Sequence, residues 1–165
     1  MKKLLFCVLF SFTSLIFAQQ TSPVTSLTTF FEGFHARDSI KIKSVLAPYA
    51  QLYRTSNSKD GTPSRVEMKI SSFIKAVTTR PDTPVWLEQL GTPIVNQHQN
   101  LALVWVPFQF FRDEVISHCG YNSFTMFWNG NKWLITSISD TETTDCETIK
   151  QGVKSILTLE IELFK

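Results

Sequence analysis

The chain has 165 residues, with 16 Lys and Arg against 14 Asp and Glu, a length that makes one ordinary domain with a real core. Two of the basic residues are Lys2 and Lys3, and without them the balance is 14 to 14, so the basic excess that a nucleic-acid partner requires is missing. Aromatic residues make up 13% of the chain and 14 of them are Phe, which suits a curved sheet around an apolar space as well as it suits a closely packed core.

The first segment, residues 1–18, has the pattern of a signal peptide. Lys2 and Lys3 form a basic start, Leu4 to Phe17 is apolar apart from Ser11, Thr13 and Ser14, and Ala18 is the small residue before a cut at Gln19. The run is short of the roughly 20 apolar residues that span a bilayer, and no small lipobox residue precedes Cys7. The expectation is an exported chain, periplasmic or secreted, with no membrane attachment once cleaved between Ala18 and Gln19.

From Val24 the apolar residues Val24, Leu27, Phe30, Phe31 and Phe34 fall at helical spacing. Asp38 caps a second short helix carrying Ile42, Val45 and Leu46, with Pro48 ending it. Tyr49 to Thr55 reads as a strand and Ser56 to Pro63 as a loop. Ser64 and Glu67 form a capping-box pattern that opens a third helix with Val66, Ile70, Phe73, Ile74 and Val77 on one face. Pro81 to Pro84 is a break. Strands follow at 85–90, 93–97, 101–111, 115–128 and 133–140. The strand 101–111 is apolar on both faces, so its second face is expected to meet something beyond its own core. The tail, residues 147–165, is ambiguous: Ile149, Val153 and Ile156 suit a helix, while Leu157, Leu159, Ile161 and Leu163 alternate like a strand.

Asn129-Gly130 between two apolar runs is a hairpin signal. A two-residue loop sets Trp128 opposite Asn131, and a four-residue loop sets Trp128 opposite Trp133. In those registers Cys119 lies opposite Asp140 or Glu142, and a fold-back of about one turn brings Cys146 within bridging reach. An oxidising compartment permits that disulfide; the alternative is two reduced thiols. In either register Asn122, Phe124, Met126 and Trp128 share a face with Trp133, Ile135, Ser137 and Ser139, and His118 has the same parity unless a bulge at Gly120 intervenes.

The order of FFEGFHARD, a helix ending in VLAP, a third helix and a sheet closing on NGNKWLITSISD resembles the nuclear transport factor 2-like superfamily. The SHCGYNSF segment with the late Cys146 resembles its SnoaL-like exported members. The resemblance implies an α+β cone, with three N-terminal helices packed on a strongly curved antiparallel sheet. It also implies a pocket at the open end and a homodimer formed through the sheet. The domain then spans residues 19–146. Members of the superfamily include isomerases, cyclases, dehydratases and non-catalytic binding modules.

Candidate pocket residues are Phe34, Tyr53, Trp105, Asn122, Phe124, Met126 and Ile135. His118 titrates near neutrality when unperturbed and is the candidate base; its structural alternative is a residue bonding backbone beside the disulfide. Asp38 lies where some catalytic relatives carry a carboxylate, and is equally a helix cap. His35 is close enough in sequence to pair with Asp38, and Tyr53 and Tyr121 are candidate donors to an oxyanion. Asp140 ends a strand and is expected in water, and no carboxylic acid stands in a clearly apolar strand, which weighs against an isomerase. His35, His98 and His118 lack ligand spacing, and there is no phosphate loop or G-x-S-x-G, so no metal or cofactor is expected. Three readings follow. The first is a domain that binds a small, partly apolar molecule without turning it over. The second is a proton-transfer enzyme, an isomerase or dehydratase, with His118 as base. The third is an assembly module.

Overall fold

The structure, a computed structural model, describes residues 20–58, 60–147 and 149. The expected leader and almost all of the tail lie outside the described residues. Among those described, three helices and seven strands occur.

Helix α1 (Pro23–Ala36) starts where Ser22 Oγ accepts from the Val24 amide at 3.2 Å and proline takes the first turn. Its stripe of Leu27, Phe30, Phe31 and Phe34 is buried. Arg37 closes it at φ 59°, and Asp38 begins α2 (Ser39–Ser44), its Oδ1 accepting from Ile40 N at 2.8 Å and Lys41 N at 3.0 Å. Gly33 is required where the two helices cross, because a Cβ there would sit 2.9 Å from Ile42. Helix α2 has already ended at Ser44, so Pro48 lies inside a strand instead of terminating a helix.

That strand is β1 (Leu46–Asn57), and it turns into β2 (Pro63–Met68), pairing from Leu52↔Met68 to Asn57↔Pro63. The capping box expected at Ser64 and Glu67 is therefore not formed. The backbone there is committed to a ladder, and Ser64 Oγ lies 3.0 Å from Ser56 Oγ across the strands. Helix α3 (Ile70–Thr79) starts one turn later, after Lys69, with no side-chain cap. It buries Ile74 and Val77. The third helix thus follows a hairpin, and only two helices precede the sheet.

The remaining strands are β3 (Trp86–Leu90), β4 (Ile94–His98), β5 (Leu101–Arg112), β6 (Val115–Trp128) and β7 (Trp133–Glu142). They form one curved sheet in the order β2-β1-β7-β6-β5-β3, with β4 also pairing β5. The β1–β7 pair is parallel, so the sheet is mixed and not purely antiparallel. Such a pairing joins the first strand to the last, and the helices cross over one face. Trp133, fully buried, donates from Nε1 to Thr21 O at 2.6 Å and accepts at its carbonyl from Ser26 Oγ at 2.7 Å. These two bonds fix α1 on the sheet.

The β6–β7 loop takes the four-residue form, with Trp128 opposite Trp133. Asn129 Oδ1 accepts from the Asn131 and Lys132 amides, and Gly130 holds φ 94°. Above the hairpin, register shifts by one between Thr125 and Met126. Met126 pairs with Ile135 but Thr125 pairs with Ser137, leaving Thr136 as a bulge whose Oγ1 donates to Thr125 O at 3.0 Å. The bulge reverses parity along the rest of β7. Ile138 and Asp140 face inward with Phe124 and Asn122, and Ser137 and Ser139 do not share that face. The same shift moves Cys119 opposite Thr143. Cys119 and Cys146 form the disulfide, with Cα atoms 5.8 Å apart, and Ile149, Ile116 and Tyr121 pack around it.

Candidate active and binding site

Between α1, α3 and the inner sheet face lies a cavity of about 460 Å³. Its body is aromatic: Phe30, Phe31 and Phe34 from α1, Phe73 from α3, Trp86 from β3, Phe110 from β5 and Phe124 from β6. These rings meet mainly edge to face, as in Phe31–Phe124 at 6.1 Å and Trp86–Phe110 at 5.7 Å. One end is polar and is built by Arg54, Glu88, Arg112, Ser117, His118, Asn122, Asp140 and Glu142.

Alternation explains how the polar groups reach the cavity. Trp86, Glu88 and Leu90 share the inner face of β3, while Leu87 and Gln89 turn outward and are exposed. Glu88 is cross-strand neighbour to Phe110, which is neighbour to His118. Glu88 Oε1 accepts from Asn122 Nδ2 at 2.7 Å, and the Glu88 amide donates to His35 Nε2 at 3.1 Å. Among the described residues no ion pair reaches the Glu88 carboxyl; Arg54, the guanidinium whose charge acts on it, is engaged elsewhere. Its Nε lies 3.1 Å from both Asp140 oxygens, its Nη2 lies 2.6 Å from Oδ2, and its Nη1 lies 2.8 Å from Glu142. Burial therefore dominates at Glu88 and raises its pKa to about 7. The Asn122 bond and Arg54 act against that rise and Asp140 adds to it.

His118 lies on Phe110, ring centroids 4.8 Å apart, with Nδ1 3.3 Å from Ser117 Oγ. Burial lowers its pKa, with Glu142 the largest opposing influence. His35 is likewise lowered by burial, and as acceptor of the Glu88 amide its imidazole is neutral. At Arg54 the Asp140 hydrogen bond outweighs burial and raises the guanidinium's pKa.

Of the expected pocket residues, Phe34, Asn122 and Phe124 line the cavity, as does His118. Met126 and Ile135 are fully buried in the core below it. Tyr53 lies under Arg65, whose guanidinium is 3.7 Å from the ring centre. Trp105 is 41% exposed on the opposite sheet face, stacked on Tyr121 at 5.0 Å. Neither residue lines the cavity, because both have the outward parity of their strands. Asp38 spends its Oδ1 on capping α2 and is also absent from the lining. His35 bonds β3 instead of Asp38.

Two expectations are corrected. Asp140 is 9% exposed and paired with Arg54, not in water, because the Thr136 bulge turns it inward. Glu88 is the carboxylic acid in an apolar strand that the sequence reading missed; the parity of WLEQL, with Trp86 and Leu90 either side, was the available signal.

No family model matches the chain, and no curated protein matches it. Solved structures do match. A protein of unknown function from Mycobacterium tuberculosis superposes with TM-score 0.58 at 6% identity, over 80% of this chain and 84% of that one. A nuclear transport factor 2-like protein of unknown function from Pseudomonas putida gives 0.57 at 14%, over 76% and 87%. Another from Shewanella baltica gives 0.53 at 14%, over 74% and 92%. The chain has the nuclear transport factor 2-like fold.

Proposed function

We propose that this chain is an exported, SnoaL-like binding domain whose cavity holds one small, partly apolar molecule without turning it over. The observation that carries this is the two-sided lining: an aromatic body of seven rings, closed at one end by Glu88, Asn122 and the Arg54–Asp140 pair. A cavity of about 460 Å³ falls in the range of sites that enclose drug-sized ligands. The disulfide supports an oxidising compartment, and among the described residues no helix is long and apolar enough to cross a membrane.

Native mass spectrometry of the gently purified protein tests the reading. A retained organic molecule is expected, and its stabilisation of the fold rises with its concentration. Ala76 lines the cavity yet is exposed, so Ala76→Trp fills the space without disturbing the core and abolishes retention. A protein that arrives empty and gains no stability from any amphiphile sinks the proposal.

Proton transfer within a bound molecule is the second reading. It is favoured by Glu88, titrating near neutrality, and His118 facing one cavity. His118→Ala then abolishes turnover of a retained molecule while leaving its binding intact. Retained turnover in that variant removes His118 as the base.

A further inference from the structure

The polar end of the cavity carries one more carboxyl than guanidinium, so ionising Glu88 leaves one negative charge in excess. Five ionisable side chains with carboxyl or guanidinium groups face it: Glu88 from β3, Asp140 and Glu142 from β7, Arg54 from β1 and Arg112 from β5. Arg54 is bound by both β7 carboxylates. Arg112 lies over the Trp86 ring, 5.9 Å from its centre, and forms no ion pair among the described residues. His118 from β6 and His35 from α1 are held toward the neutral form by burial. Among the described residues Glu88 accepts from Asn122 and forms no ion pair, and the only guanidinium charge acting on it, that of Arg54, is shared with Asp140 and Glu142. Asn122 itself is only 4% exposed, so the carboxyl is met by a fixed, buried donor. Phe110 is the cross-strand neighbour of Glu88, and Phe31 and Phe124 line the same cavity.

Resting on the binding reading above, we propose that the cavity selects an organic cation: an amine or quaternary ammonium group on an aromatic or aliphatic body. The ammonium group sits against the Glu88 carboxylate and the neighbouring phenyl rings, and the body fills the aromatic end. A carboxylate paired with ring quadrupoles is the environment that desolvated ammonium groups favour. An anionic ligand would have to pair with Arg112, which lies over Trp86, since Arg54 is already shared by two carboxylates. A neutral ligand would leave Glu88 in its protonated form and gain nothing from the charge of the extra carboxyl.

The proposal has a signature in protons. Glu88, with a pKa raised to about 7 in the empty site, is mostly protonated at pH 6.5. A bound cation favours the carboxylate, so binding releases a proton. A ligand that accepts a hydrogen bond from the carboxylic acid favours the protonated form and takes a proton up as pH rises above 7.

Three probes of similar size separate the cases: phenethylamine, 2-phenylethanol and 3-phenylpropanoate. Each is titrated calorimetrically into the full mature protein at pH 6.5, in two buffers of different ionisation enthalpy. Phenethylamine is expected to bind at least tenfold more tightly than the alcohol, with release of a substantial fraction of a proton, and the carboxylate least. In Glu88→Gln the preference for the amine over the alcohol and the proton release both vanish. Equal binding of amine and alcohol, or amine binding without proton release in the unaltered protein, overturns the proposal and leaves the binding reading standing. Preference for the carboxylate overturns it in favour of Arg112 as the anchor. Binding of none of the three overturns the cation proposal and counts against the binding reading too.

Discussion

At the scale of single residues, Glu88 governs how stability depends on pH. Its folded pKa of about 7 lies above the ordinary 4.5, so between those values the unfolded chain gives up a proton that the folded chain keeps. Stability therefore falls as pH rises through this window and is flat above it. The full shift corresponds to roughly 3 kcal/mol, and contact of the carboxyl with the cavity reduces this. Glu88→Gln should leave stability almost unchanged at pH 4.5 and raise it by about 1 to 3 kcal/mol at pH 8. Urea unfolding across that range reads the difference. His35 and His118 have the opposite sign, since their lowered pKa values make stability fall as pH drops below about 6.5. They act equally in both proteins, so the difference curve isolates Glu88. Arg54 is the second residue whose loss is readable. Arg54→Met strands Asp140, whose side chain is 11% exposed, and should cost about 2 kcal/mol, less than a fully buried pair because the arginine is 40% exposed.

At the scale of elements, the junction of β6 and β7 is where sequence reading and structure part. The five later strands are legible from Val, Ile, Phe and Trp runs separated by Pro, Gly and Asn, and each falls within a residue or two of its expected limits. Helix α1 is legible from its aromatic stripe. Face assignments hold along β6 and as far as Ile135 but not along the rest of β7, since parity extrapolates only until a bulge, and Thr136 carries no mark in sequence that distinguishes it from the other threonines nearby. That one residue decides that Asp140, and not Ser139, meets Arg54. The β1–β2 hairpin was hidden for a different reason. The helix-start pattern at Ser64 and Glu67 is local, and the β1 edge that captures this segment is not.

Gly120 is the tightest point of the junction. A Cβ there would overlap the Thr141 carbonyl oxygen and come within 2.7 Å of Thr141 Oγ1, which accepts from the Tyr121 amide. Gly120→Ala is expected to cost more than 3 kcal/mol, seen as a fall in the urea midpoint. The disulfide beside it closes 27 residues, for which chain entropy gives roughly 3.5 kcal/mol. Replacing both Cys119 and Cys146 by Ala should lower stability by about that amount, with the far-ultraviolet spectrum unchanged.

At the scale of the whole molecule, the sheet has one face under the helices and one without such cover among the described residues. On the uncovered face Leu101, Leu103 and Trp105 are 52%, 46% and 41% exposed, flanked by Ile94 on β4 and Phe127 on β6. The residues between them across β6, Ser123 and Thr125, carry no charge. A contiguous exposed apolar patch of this kind marks an interaction surface more often than scattered side chains do. With no charge to be complemented, it can face its own copy across a two-fold axis. A homodimer through this face is therefore expected, as the twofold-apolar β5 suggests in sequence. Light scattering at micromolar concentration should give twice the chain mass. Leu103→Lys should give a monomer whose unfolding free energy, extrapolated to low concentration, is within about 0.5 kcal/mol of the parent, since the side chain is exposed in the single chain. A parent protein that is already monomeric rejects the dimer. If removal of residues 150–165 then raises binding of an apolar dye, the cover belongs to the chain's own C-terminal segment. The cavity lies on the opposite face, so Leu103→Lys should leave ligand affinity unchanged, and a loss of affinity on dissociation would show that the two faces are coupled through the sheet.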